Sequence, residues 1–185
     1  MIRHELPRET PRTVLRRLSP GDLKEFQAYR QDPEVGRYQS WTAMSDEAAE
    51  AFLKEVAGDD LLCPGAWCQI GIAARDTDTI LGDIGLCPDA EGRRVEIGFT
   101  LSRAAQGRGL GTEAVAAAVQ WVFDNGAESV FGITDICNTA SVRLMERLGM
   151  KETARNEAIF RGAPCTEVTY TVSRGSDERV STGTP

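Results

Sequence analysis

Val95-Glu96-Ile97-Gly98-Phe99-Thr100-Leu101, then Gln106-Gly107-Arg108-Gly109-Leu110-Gly111, then an alanine-rich run to Phe123, decide the reading of this chain. The first segment alternates, with Glu96, Gly98 and Thr100 on one face and Ile97, Phe99 and Leu101 on the other, as a strand does. The third changes period: Leu110, Ala114, Val115, Ala118, Val122 and Phe123 fall at helical spacing, and Asn125-Gly126 ends the run. Ser129 to Thr134 is again a short apolar strand. Strand 94–101, helix 109–124 and strand 129–134 form a βαβ crossover, which places two parallel strands side by side in the middle of the sheet.

Upstream, Thr13 to Leu18 reads as a first strand, and Ser19-Pro20-Gly21-Asp22 starts a helix to about Arg30. Ser45 is an N-cap, Ala48 to Val56 the helix it begins, and Gly58 its stop. Residues 66–74, 80–87 and 94–101, separated by turns at Asp76-Thr77-Asp78 and Pro88 to Gly92, form an antiparallel meander. Downstream come a helix from Thr139 to Leu148, then Met150 to Phe160 and Glu167 to Val172 as strands. The expected order is β-α-α-β-β-β-α-β-α-β-β. It describes one α/β (α+β) domain over 12–173, a mixed and mostly antiparallel twisted sheet of about seven strands with helices on both faces. The ends, 1–11 and 174–185, read as flexible.

With 185 residues the chain is long enough for one domain with a full core. Its net charge of −7 disfavours nucleic acid as a partner and suits a cationic one. No stretch approaches the ~18 apolar residues of a membrane span, and the start is no secretory signal. Cys63, Cys68, Cys87, Cys137 and Cys165 match no zinc or redox spacing. They read as free thiols of a cytoplasmic protein. His4, in the N-terminal arm, is the sole histidine, so neither a Ser-His-Asp mechanism nor a histidine metal site is expected.

Gly107, Gly109 and Gly111 lie between a strand and a helix start. Glycines there let backbone N–H groups turn toward an anion, and the helix end adds free donors and a positive dipole end. The alternative is a plain tight turn. A dinucleotide turn needs G-x-G-x-x-G, and here the third glycine comes too early; a Walker loop needs a lysine, and none is present.

Gln106-Gly107-Arg108-Gly109-Leu110-Gly111 resembles the Gln/Arg-x-x-Gly-x-Gly/Ala signature of the GNAT acetyltransferases. Val95 to Leu101 resembles that family's fourth strand, and Asn138-x-x-Ser141-x-x-x-x-Glu146-Arg147-x-Gly149-Met150 its second cofactor-side helix and turn. Within the family the chain is most similar to the Rim-type enzymes, which acetylate N-terminal amines of ribosomal proteins; Trp41 after Gly36-Arg37-Tyr38 fits that branch. The resemblance implies a GNAT fold and acetyl-CoA as co-substrate, with no metal. It places the pyrophosphate on Gln106, Gly107, Arg108, Gly109, Leu110, Gly111 and Thr112. It places the pantetheine arm against the backbone of Phe99, Thr100 and Leu101, with Asn138 bonding the arm or merely capping its helix. The partner implied is a primary amine, most simply a protein N-terminus, with a small amine or a non-catalytic acyl-CoA-binding role as alternatives, and a monomer or homodimer as the assembly.

Glu96 is the first candidate for the base, against simple pairing with Arg93 or Arg94; Asp83 or water are weaker candidates. Many relatives use a tyrosine as acid where this chain has Met145, so Ser141, one turn earlier, is the available hydroxyl unless it only bonds its own helix. Tyr38, Trp41 and Asp83 are candidates for the acceptor side, and Trp41 is equally at home in a core.

Overall fold

The computed structural model describes residues 5–175. His4 and the outer parts of the two ends expected to be flexible, 1–4 and 176–185, lie outside them. Eight strands form one sheet: β1 (Arg8–Glu9), β2 (Thr13–Arg17), β3 (Cys68–Ala74), β4 (Ile80–Pro88), β5 (Arg94–Leu101), β6 (Ser129–Asp135), β7 (Lys151–Phe160) and β8 (Ala163–Ser173). Their spatial order is β1-β2-β3-β4-β5-β6-β8-β7, and every neighbouring pair is antiparallel except β5 with β6. The sheet has a strand more than expected because Arg8 and Glu9, read as part of a loose arm, pair with Leu15 and Val14.

Five helices complete the fold: α1 (Leu23–Arg30), α2 (Pro33–Gly36), α3 (Asp46–Gly58), α4 (Leu110–Asp124) and α5 (Thr139–Arg147). α2, a single turn opened by Pro33 and capped by the Asp32 side chain on Glu34 N–H, has no apolar period and escaped the sequence reading. Ser45 caps α3 by accepting from Ala48 N–H, and Asp46 and Glu47 sit in its first turn, where the dipole favours them. α4 ends on Asn125, with Gly126 at φ 107°, a left-handed stop that glycine adopts without strain.

The helical period of α4 aims Ala114, Val115, Ala118, Trp121 and Val122 at Leu15, Ile70, Ile84, Val95 and Ile97 of the sheet, forming the main core. α1 and α3 bury Phe26, Tyr29 and Leu53 against Leu18, Ala73 and Ile80 in a second cluster. α5 closes a third, smaller one, in which Met145 and Met150 meet Val168 and Tyr170 of β8. A fully buried apolar side chain of this size contributes about 1.5–3 kcal/mol, so these clusters supply most of what holds the helices on the sheet.

The parallel pair is the part that matters for function. Its register runs only through Arg94↔Ser129, Val95↔Val130 and Glu96↔Phe131. β5 continues to Leu101 and β6 to Asp135 without each other, while β4 stays paired with β5 up to Gly82↔Leu101. The two central strands therefore part company just past Glu96.

Gly82 sets how closely β4 supports the far end of β5. A Cβ there would lie 2.0 Å from the Thr100 carbonyl oxygen and 2.9 Å from Leu101 Cα, both backbone atoms that cannot swing aside. Gly82→Ala is expected to cost about 3 kcal/mol or more, read by urea unfolding. A loss below ~1 kcal/mol would mean that the end of β5 yields easily.

Candidate functional site

Where β5 and β6 separate, a cleft of about 520 Å³ opens. Phe99, Thr100 and Leu101 of β5 line one side, the loop 105–112 its end, and Asn138, Ser141 and Leu144 of α5 the other side. Tyr38 and Gln39, after α2, lie across it.

The glycine loop takes the form that an anion cradle needs. Gly107 (φ 71°) and Gly109 (φ 78°) are left-handed, and Gly109 is the N-cap of α4. Ser45 and Asn138 cap their helices through a side chain; Gly109 has none, so the free first-turn N–H groups of the 15-residue α4 are left to a ligand. Gly111 has a different reason: its Cβ would come 3.1 Å from Leu144 and 3.2 Å from Leu101, so a glycine lets α4 start close to both β5 and α5. Of the residues expected in the cradle, Gln106, Gly107, Gly109, Gly111 and Thr112 line the cleft. Leu110 is buried in the main core instead, and Arg108 contributes its carbonyl to Arg12 Nη1 at 2.9 Å.

The charge in the cleft opposes that of the chain. Arg37, Arg143 and Arg147 line it against one acid, Glu34, although the net charge is −7. Arg147 stands in the helix motif quoted above without a role and Arg143 is one of its unnamed positions, although their spacing of four on one helix puts both on one face.

The backbone of β5 faces the gap. A Cβ on Gly132 of β6 would lie 3.3 Å from the Ile97 carbonyl oxygen, and the alternation that turns Ile97 toward β6 turns Phe99 and Leu101 the same way. No β6 partner meets these groups. The Phe99 carbonyl accepts from Gln39 Nε2 (3.2 Å) and the Leu101 carbonyl from Gln106 Nε2 (3.0 Å).

On α5 the two candidate positions separate cleanly. Met145 is 1% exposed, packed in the third cluster with its sulfur over Gly132. Ser141 lines the cleft, and its hydroxyl makes no hydrogen bond among the described residues; only its N–H is engaged, with Asn138 Oδ1 at 3.3 Å. Asn138 caps the helix and lines the cleft as well, its Nδ2 donating to Thr134 Oγ1 at 3.1 Å.

Glu96 sits in the last paired position before the split, between Cys87 and Phe131. It does not line the cleft, because it is still held between its two strand neighbours where the gap has not yet opened. Partial burial, and secondarily the charge of Glu167, hold its carboxyl above the usual range. It has no salt-bridge partner among the described residues, so the pairing with Arg93 or Arg94 allowed by the sequence does not form. Arg94 instead stacks on the Phe131 ring at 5.1 Å.

The acceptor-side candidates scatter. Asp83 is 1% exposed and spent: it accepts from Tyr29 OH, from Arg30 Nη2 at 2.8 Å and from Gln69 Nε2 at 2.6 Å. It therefore faces no acceptor. Burial, with the adjacent Asp83 charge, pushes the Tyr29 hydroxyl well above its ordinary pKa. Trp41 is absent from the cleft wall; its ring covers the Arg30 guanidinium at 4.5 Å and closes over Gly36, so it packs. Tyr38 does line the cleft and donates its hydroxyl to the Cys137 carbonyl at 3.3 Å.

Comparison with known proteins places this arrangement. The acetyltransferase (GNAT) domain family matches residues 12–151. An uncharacterised N-acetyltransferase, p20 of Bacillus licheniformis, is 28% identical over 145 residues, 77% of this chain and 81% of that one. Among solved structures, a GNAT-family acetyltransferase of Bacillus anthracis superposes with a TM-score of 0.81 at 18% identity, over 91% of this chain and 98% of that one. RimL, a ribosomal L7/L12 alpha-N-protein acetyltransferase solved with coenzyme A, superposes with a TM-score of 0.79 at 14% identity, over 91% and 98%. The spermidine N-acetyltransferase of Vibrio cholerae, solved with CoA and spermine, gives 0.76 at 16% identity, over 89% and 96%.

The raised carboxyl of Glu96 has a measurable sign. A folded-state value above the unfolded ~4.3 means that the folded chain holds this proton more tightly. Its contribution to stability is full below ~pH 4 and is lost as pH rises through the folded value. Glu96→Gln should therefore gain stability over the parent chain on going from pH 4 to pH 7, read by urea unfolding at both. Parallel pH dependences in the two chains would mean an unshifted, solvated Glu96.

Proposed function

The chain belongs to the GNAT acetyltransferase family, and from that premise we propose that it acetylates the α-amine of a protein or peptide N-terminus. The observation that carries the reading is the cleft itself: unpaired β5 backbone leads to a side-chain-free helix start, with arginines along the way in an acidic chain. This donor set fits acetyl-CoA. Gly107 to Thr112 would hold the pyrophosphate, Arg37, Arg143 and Arg147 would add charge for the remaining phosphate, and the gap-facing edge of β5 would pair with the amide-bearing arm.

Acetyl-CoA supplies an acyl carbon that accepts the amine lone pair as its C–S bond breaks. The protein has three tasks around that exchange. The gap-facing backbone N–H groups of β5, free of β6, can polarise the carbonyl. The Ser141 hydroxyl, open to the cleft, can donate a hydrogen bond to the departing sulfur and so stabilise the charge that gathers there. A thiolate of this kind has a conjugate acid near pKa ~8.5, so a positioned hydroxyl suffices. Glu96, poised upward by burial, can receive a proton from the amine across the split, directly or through water.

Acceptor choice follows from the same economy of proton chemistry. An α-amine has a pKa of about 7.7–8.0 and a lysine about 10.4, so at neutral pH the lysine costs roughly 3 kcal/mol more to deprotonate. A site with no imidazole among the described residues suits the easier amine. The second reading, a small polyamine, is favoured by the charge of Glu167 reaching Glu96, two carboxylates to which a polycation would be drawn. Five free cysteines suit a reducing compartment, and we place the protein in the cytoplasm.

The deciding experiment is thiol release from acetyl-CoA with peptides and small amines offered in parallel, followed by mass spectrometry of the products. Acetylation at peptide N-termini is expected; products on lysine or on polyamines alone would reject the acceptor proposed. Ser141→Ala should lower kcat by roughly ten- to a thousandfold, with acetyl-CoA affinity little changed, because a thioester sulfur is a poor hydrogen-bond acceptor. An unchanged kcat where chemistry limits turnover would return Ser141 to the role of a helix serine.

A further inference from the structure

We propose that Gln39 is a positioning residue: its amide keeps the place of the cofactor arm on β5, so that entry of acetyl-CoA must displace it from the Phe99 carbonyl. The inference rests on the acetyltransferase reading above and adds to it a side chain that competes with the cofactor.

Beyond Glu96 the gap-facing carbonyls of β5 have lost their strand partner, and a backbone acceptor in such a place requires a substitute. Two glutamine amides provide it, Gln39 on Phe99 and Gln106 on Leu101. Gln106 is only five residues away along the chain, so its bond is local. Gln39 comes from sixty residues away and reaches Phe99 only because its segment is tied down around the split. Asp32 takes two bonds from Arg103, at 3.1 and 2.8 Å, on the β5 side. Tyr38 OH meets the Cys137 carbonyl at 3.3 Å on the β6 side. Arg161, at the β7–β8 turn, donates through Nη2 to the carbonyls of Gln39 (3.0 Å) and Trp41 (2.8 Å). This strap, 32–41, thus bridges the mouth of the gap, and Gln39 is its attachment inside.

An amide-bearing arm laid along β5 would offer its own N–H to the same carbonyl, replacing one neutral amide donor by another. That exchange is near balance, so the latch can give way to the arm without a large cost. Once displaced, the Gln39 side chain leaves the β5 edge, while Asp32, Tyr38 and the Gln39 and Trp41 carbonyls keep the strap over the gap.

The test is calorimetric titration of CoA into the full chain, the Gln39→Ala variant and the Gln39→Met variant, which keeps the length and removes the donor. Thermal unfolding without ligand verifies that each is folded. Both variants should bind CoA more tightly, by roughly three- to tenfold, the span of one neutral hydrogen bond. The sign is what separates the roles, since loss of a merely structural contact, or of a clamp on the bound arm, would weaken binding. Unchanged or weaker binding in folded variants overturns this inference alone. A parent chain that does not bind CoA overturns the acetyltransferase reading and this one with it.

Discussion

Three backbone pairs hold β5 to β6, and the architecture of the site follows from the absence of a fourth. A sheet interior gains from every ladder bond it closes and loses from every amide it leaves bare. A central pair that stops halfway is therefore a cost that something else must offset. Here part of it is met by the side-chain amides of Gln39 and Gln106. What remains is a strip of polar backbone inside an otherwise apolar fold, an edge in the middle of a sheet, and such an edge recognises extended amides.

The gap stays open because its neighbours prevent β6 from closing onto β5. β6 is committed on its other side to β8 over seven residue pairs, so the hairpin β7–β8 determines its course. α5 lies behind it, and Met145 seats its sulfur where a Cβ on Gly132 would be, with Phe99 at the edge of the same cluster. At the other end, Gly111 lets α4 begin within touching distance of Leu101 and Leu144. The helix start, the β5 edge and the Ser141 face of α5 are thereby brought to one cleft although they are distant in the chain. On α5 the methionine is buried in the third cluster, and the serine one turn away faces the cleft.

Charge is sorted in the same way. The chain is acidic overall, yet the cleft gathers arginines, a local field that favours a phosphate-rich ligand and that the net charge conceals. The opposite case is Asp83 with Arg30, an ion pair removed from solvent and enclosed by Phe26 and Trp41. Removing either partner alone would leave a buried charge with no counterpart, so the pair ties α1 to β4 and thereby supports the segment that leads into the strap.

Much of this was legible from the residues. Period-two alternation in 94–101, helical spacing from Leu110 and a glycine run between them are local patterns, and local patterns determine elements because backbone conformation is chosen over a few residues. The glycine turn and the parallel crossover followed from that, whereas Ser141 was reached through the family resemblance, from the methionine standing where relatives have a tyrosine. Other features had no local signature. β1 exists because residues 8–9 find β2, α2 is too short to show a period, and Gln39 meets Phe99 across sixty positions. Asp83 and Glu96 are both carboxylates in neighbouring strands, and the sequence offered both to the chemistry. Packing consumed the first beneath Tyr29 and Arg30 and left the second at the apex of the split. The sequence alone determined which elements form, since that is set by near neighbours; the tertiary structure decided which polar groups were left without partners, since that depends on what the rest of the chain brings to them.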